Sequence, residues 1–114
     1  MLVLFGSQAT GKTHPKSDID LGYTTPRNME LKEGFKIENE ISAVLKRDDV
    51  EFVNLERISP TMKKIIADEG VLLYEHLPGT FILFKIFAFK LYVETKFLRD
   101  LRYQSLERFI YGNA

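Results

Sequence analysis

Leu4-Phe5-Gly6-Ser7, ten further residues, and then Asp18-Ile19-Asp20-Leu21 join an apolar run that halts at a Gly-Ser turn to an acidic segment that alternates with apolar residues. Residues 2–5 are apolar and partly β-branched, which reads as a buried strand entering a turn at Gly6. Residues 6–17 are mostly Gly, Ser, Thr, Lys, His and Pro, a loop with at most one helical turn. Residues 18–23 then alternate as a second strand with one polar and one buried face. Aspartates at i and i+2 of a strand share a face, with Cα atoms roughly 7 Å apart. Hard divalent cations such as Mg²⁺ bind oxygen ligands of this kind and share them with substrate phosphates. Gly6 lets backbone approach a phosphate, and Ser7 supplies a hydroxyl and an amide. An isolated Asp-x-Asp is more often the solvated face of a strand. The preceding Gly-Ser turn shifts the balance toward a metal and triphosphate site. A third carboxylate is available in Glu51, the one acidic residue in Val50-Glu51-Phe52-Val53-Asn54-Leu55, although a solvated strand residue is the plain alternative.

The same loop contains Gly6-Ser7-Gln8-Ala9-Thr10-Gly11-Lys12-Thr13, which matches the P-loop pattern as text. A P-loop needs a helix that starts at the Lys-Thr pair and aims its amides at the β-phosphate. Pro15 and the strand from Asp18 leave no room for one, and no later apolar strand ends in aspartate. The context therefore argues against that reading.

The rest of the chain reads as alternating helices and strands. Residues 29–46 place Leu31, Phe35, Ile41 and Leu45 on one helical face, with Gly34 as a weak point. Residues 50–55 form a third strand, and Ser59-Pro60 opens a helix that reaches Asp68 or Glu69 before Gly70 stops it. Residues 71–74 are a short extended piece, and from Thr80 onward to about Ile110 nothing breaks a helical pattern. The segment from Pro78 onward holds 9 of the 14 aromatic residues, more than one helix buries in a chain this small.

Length and charge narrow the classes. With 114 residues there is room for one domain, here divided into a core over residues 1–77 and a helical tail over 78–114. The net charge is zero, but an acidic excess of three through Leu77 faces a basic excess of three from Pro78 onward. Direct nucleic-acid binding normally needs a clear basic excess and is not expected. The chain has no cysteine, which excludes disulfides and thiol nucleophiles and is compatible with a reducing cytoplasm, the expected location. The most apolar stretch, residues 81–93, carries Lys85 and Lys90 and is short of a membrane span, so no membrane role is expected. His14 and His76 are isolated, with no second metal ligand at helical spacing. Lys96, Arg99 and Arg102 read as a solvated helix face that could still meet an acidic partner.

The Leu4-Phe5-Gly6-Ser7 and Ser17-Asp18-Ile19-Asp20-Leu21 blocks resemble the signature of the polymerase-β-like nucleotidyltransferases, in particular the minimal ones that serve as MntA-type antitoxins of HEPN/MNT toxin-antitoxin systems. The resemblance continues through Val50-Glu51-Phe52-Val53-Asn54-Leu55, Ser59-Pro60, Glu69-Gly70-Val71-Leu72-Leu73-Tyr74-Glu75 and the tail around Tyr92. It implies an α+β nucleotidyltransferase fold: a small mixed sheet with helices packed on it, a two-layer α/β sandwich with a long aromatic C-terminal helix. It implies that Gly6, Ser7, Ser17 and Lys12 hold the nucleotide, and that Asp18, Asp20 and Glu51 are catalytic and bind Mg²⁺. The sequence departs from the family pattern in three places. Glu51 stands where the family generally has aspartate, Thr10 where many relatives carry arginine, and no helix precedes the first strand, so that surface has another covering or the start was assigned late.

The resemblance implies AMP transfer from ATP to a hydroxyl, expected to be a tyrosine, of a HEPN-type toxin. A tyrosine hydroxyl, with a pKa near 10, becomes a nucleophile once a metal or carboxylate helps remove its proton. The competing expectation is an antitoxin that neutralises its partner by contact alone, for which the aromatic tail is the support, either as a homodimer or as a hetero-oligomer through residues 81–111. The plain alternative for the tail is packing across the sheet onto Val53 and Leu55.

Overall fold

The computed structural model of the chain describes residues 1–11, 18–25 and 29–112. In chain order the elements are β1 (Leu2–Phe5), α1 (Ser7–Thr10), β2 (Ile19–Tyr23), α2 (Leu31–Leu45), β3 (Val50–Asn54), α3 (Pro60–Glu69), β4 (Val71–Tyr74), α4 (Thr80–Glu94) and α5 (Lys96–Tyr111). The strands form one mixed sheet in the order β3-β2-β1-β4. β1 is antiparallel to both β2 and β4, whereas β2 and β3 are parallel. Parallel neighbours require a crossover, and α2 provides it. This is the expected α+β class, a small mixed sheet carrying helices.

Directly opposed residues share a face of the sheet, and alternate residues change face. One face therefore carries Val3, Phe5, Asp20, Gly22, Glu51 and Val53. Its apolar end lies under α3 and α4, where Val3, Phe5, Leu55, Ile66 and Phe81 make the core and Val53 and Leu72 pack against it. Of the tail, Phe81 belongs to this core and Phe84 packs against it, both from the first turns of α4. The other face carries Leu2, Tyr23 and Phe52, which line an apolar cleft of about 410 Å³ with Ile37 and Ile41 of α2.

Local chemistry explains the boundaries. Ser59 accepts a hydrogen bond from the Met62 amide at 3.1 Å, and Pro60 occupies the first helical position. Gly70 ends α3, but its backbone is extended (φ −68°, ψ 148°) rather than left-handed. Its requirement is space: a Cβ there would stand 2.4 Å from the Ile66 carbonyl oxygen and 2.6 Å from Val3 Cγ1. Glu75 caps the next helix, its two carboxylate oxygens accepting from the amides of Gly79 (3.1 Å) and Phe81 (3.0 Å). The bonds to Phe81 and Gly79 hold its carboxyl below the usual range.

The expectation of one unbroken helix from Thr80 to about Ile110 is corrected at Thr95. That residue leaves helical geometry (φ −92°, ψ 1°) and separates α4 from α5. Its hydroxyl donates back to the Leu91 carbonyl at 2.8 Å, a bond that bends helices. Arg99 then locks the junction, donating to the Thr95 hydroxyl (2.6 Å) and the Tyr92 carbonyl (2.7 Å) while its guanidinium lies 3.7 Å from the Tyr92 ring centroid. Arg99 is therefore not part of a solvated face. α5 has no buried residue, and the radius of gyration is 17.2 Å, against about 13 Å for a compact chain of this length.

Because both atoms crowding Gly70 belong to the packed core, Gly70→Ala is expected to cost about 1–3 kcal/mol, read as a lower urea midpoint. An unchanged midpoint would mean that this approach relaxes without cost.

Candidate functional site

The register of the sheet assembles the site. Phe5, Asp20 and Glu51 are opposed across β1, β2 and β3, so the two carboxylates lie side by side on the face that carries the core. Asp18 stands immediately before β2 and is exposed. Asp20 is half-buried at the edge of the core, beside buried Phe5. Desolvation pushes its carboxyl above the ordinary range, and a hydrogen bond and charge repulsion from Glu51, with a further contribution from Asp18, push it the same way.

Gly6 closes the site from the side of β1. Its backbone (φ 73°, ψ −154°) lies in a region that side-chain-bearing residues rarely adopt. An added Cβ would come within 2.3 Å of an Asp20 carboxylate oxygen. The glycine thus serves both the turn and the close approach of backbone to carboxylate. α1 is the single helical turn expected in this loop: the amides of Ala9 and Thr10 donate to the Gly6 carbonyl, and Gly11 ends the turn in left-handed geometry. Ser7 opens that turn, one residue after Gly6. The Thr10 hydroxyl donates locally to the Gly6 and Ser7 carbonyls. Lys12 and Ser17, both expected to touch nucleotide, lie outside the described residues, as do His14 and Pro15 of the rejected P-loop context.

On the far side, toward β3, Arg47 and Asp49 form a fork that sequence reading missed. Arg47 Nε donates to Asp49 Oδ1 at 2.7 Å, and Nη2 meets the other oxygen. This hydrogen bond holds the Asp49 carboxyl low. The Asp49 carbonyl accepts from the Ile19 amide at 3.1 Å, tying the start of β3 to the segment between the two aspartates. Arg47 also lies within electrostatic reach of Asp18. The only signal in the sequence was a basic residue two before an acidic one in a connecting loop.

The donor set is all oxygen, which suits Mg²⁺, an ion usually held by one or two carboxylates together with substrate phosphates and water. Among the described residues no group of three or more acidic or histidine side chains stands close enough to hold an ion by itself. Asp20 and Glu51 are the two carboxylates opposed across β2 and β3, and Asp18 stands just before β2. His76 belongs to no such group.

With this geometry, the chain matches the family model described as polymerase beta, nucleotidyltransferase, over residues 1–77. No curated protein matches it. Among solved structures, a toxin-antitoxin crystallised with AMP-PNP superposes with a TM-score of 0.75 at 21% identity, over 93% of this chain and 84% of that one. The tri-AMPylated HEPN toxin of Shewanella oneidensis in complex with its MNT antitoxin gives a TM-score of 0.68 at 18% identity, over 93% and 81%. A toxin-antitoxin MntA-HepT structure gives the same values. At these identities the likeness is one of fold. Among the described residues no helix is long and apolar enough to cross a membrane.

The raised Asp20 carboxyl carries a pH signature. A group held above its unfolded value contributes stability that is complete at low pH and lost as pH rises through the folded value. Asp20→Asn removes that loss. The variant is expected to melt higher than wild type at neutral pH, with the difference shrinking toward about pH 4, near the ordinary aspartate value. A lower midpoint at neutral pH would contradict the electrostatic account.

Proposed function

Because the chain belongs to the polymerase β nucleotidyltransferase family, we propose that it transfers AMP from ATP to a tyrosine hydroxyl of a HEPN-type toxin and so acts as its antitoxin. The observation that carries this reading is the opposition of Asp20 and Glu51 across β2 and β3 with Gly6 packed against Asp20. Gly6 and Ser7 would border the triphosphate, with Lys12 and Ser17 as further contacts. Asp20 and Glu51, with Asp18, would hold Mg²⁺, which when bound neutralises the triphosphate and favours in-line attack at the α-phosphorus. The tyrosine oxygen bonds to that phosphorus, the bond to the bridging oxygen breaks, and pyrophosphate leaves. Glu51 would receive the phenolic proton. Two structural relatives support the choice of nucleotide and partner: one was crystallised with AMP-PNP, and another is a complex with an AMPylated HEPN toxin.

A second reading, neutralisation by contact alone, draws on the tail, where α5 buries none of its residues. The two separate on replacing Asp18 and Asp20 by asparagine. Transfer of label from α-labelled ATP to the HEPN-type protein should fall at least about a hundredfold, whereas contact inhibition would persist. If wild type binds that protein tightly and labels nothing in Mg²⁺, the transferase reading is wrong.

Glu51 offers a finer check. Its side chain is one methylene longer than the family's aspartate, and misplacement by about 1 Å can cost about a hundredfold. Glu51→Asp is expected to raise the transfer rate, up to about that factor. A fall would mean that this site is built around the longer acid.

A further inference from the structure

α4 is apolar on the side turned to the core and apolar again on the side turned away. Phe81 and Ala88 are buried, with Phe84 and Leu91 half-buried beside them. On the opposite side Ile82, Ile86, Phe89 and Val93 are each between 54% and 63% exposed. They follow one another at steps of four, three and four residues. At 100° per residue they fall within an arc of about 60°, a straight seam with the spacing that seats the side chains of a facing helix. Lys85 and Lys90 flank it, roughly 70° to either side at the same pitch. Glu94 approaches Lys90 only to 3.9 Å, both side chains being mostly in solvent, so the positive flank persists.

We propose that this seam docks an α-helix of the partner protein, and that the partner helix carries acidic side chains beside its own apolar seam. The lysines select this occupant over a second copy of the chain. Pairing α4 with α4, in either direction, would set Lys85 and Lys90 against the same lysines at flanking positions, where like charges repel. Opposite charges at those positions fix partner and register. The proposal deepens the partner reading above, and rests on it for the protein used as probe.

The experiment measures binding of the full chain to the HEPN-type protein proposed as its partner, by calorimetry, with α-labelled ATP transfer assayed in parallel. Ile86→Glu with Phe89→Glu should weaken binding at least about a hundredfold. Lys85→Glu with Lys90→Glu should weaken it about tenfold and flatten its salt dependence. All four side chains are exposed, although Lys85 lies 4.8 Å from the Phe81 ring centroid and Lys64 lies 6.0 Å from that of Phe89, so thermal midpoints should fall only slightly, and Mg²⁺-dependent binding of AMP-PNP by the free chain should be unchanged. Unaltered affinity in the first pair overturns the proposal, as does absence of any complex with wild type. It is also overturned if the wild-type chain sediments alone as a dimer that Ile86→Glu with Phe89→Glu converts to monomer. A seam-dependent complex without AMP transfer would remove the transferase reading and leave this surface standing.

Discussion

Two carboxylates held in register across a pair of parallel strands set the terms for this molecule. Asp20 and Glu51 repel each other, and Asp20 has lost part of its hydration beside Phe5, so the arrangement opposes folding and stands only because its surroundings impose it. The crossover through α2 makes β2 and β3 parallel neighbours. The bond from the Ile19 amide to the Asp49 carbonyl pins their entry, and the Arg47-Asp49 fork stiffens the turn from which β3 starts. Gly6 lets the β1 turn close onto Asp20 without a side chain between them. Destabilised charge concentrated at one end of a sheet is the condition expected of a site that works with a cation and an anionic substrate.

The opposite end of the fold spends its apolar residues differently. One turn of aromatic and aliphatic side chains from α4 completes the core with α3, and the remaining apolar surface of α4 and α5 faces outward. A soluble monomer rarely leaves so much apolar helix in contact with water. Beyond the break at Thr95, held by Arg99 on Tyr92, α5 buries none of its residues, in keeping with the extended shape. The clustered carboxylates and the exposed apolar helix surface therefore occupy separate regions of the chain, matching the acidic front and basic tail of its charge distribution.

Features governed by neighbouring residues were legible in the sequence. The Gly-Ser turn and the Ser59-Pro60 cap each depend on a few adjacent positions, and each lies where expected; β2 lies where expected too, but both its faces are covered, Leu21 and Gly22 being buried on opposite sides, so the expected polar face is absent. Glu51 drew notice as an acid in an apolar run, but its opposition to Asp20 is a matter of register, which no local pattern specifies. The break at Thr95 escaped because threonine is tolerated within helices, and its hydroxyl bends the chain only through a particular bond and the Arg99 clamp. Gly70 was recognisable as a helix stop, but the close approach it permits is to Val3, distant in sequence, which no local pattern signals. The Glu75 cap and the Arg47 fork were likewise invisible, because both depend on how loops return to helix and strand ends.

The central claim is that Asp20 and Glu51 form an electrostatically loaded pair that a divalent cation relieves. Following the Asp20 carboxyl carbon by NMR across pH, with and without Mg²⁺ and AMP-PNP, addresses it most directly. The account predicts a titration above the ordinary aspartate range in the protein alone, moving well below it once Mg²⁺ and the nucleotide are added. An Asp20 that titrates at the ordinary value and does not respond to Mg²⁺ would contradict it.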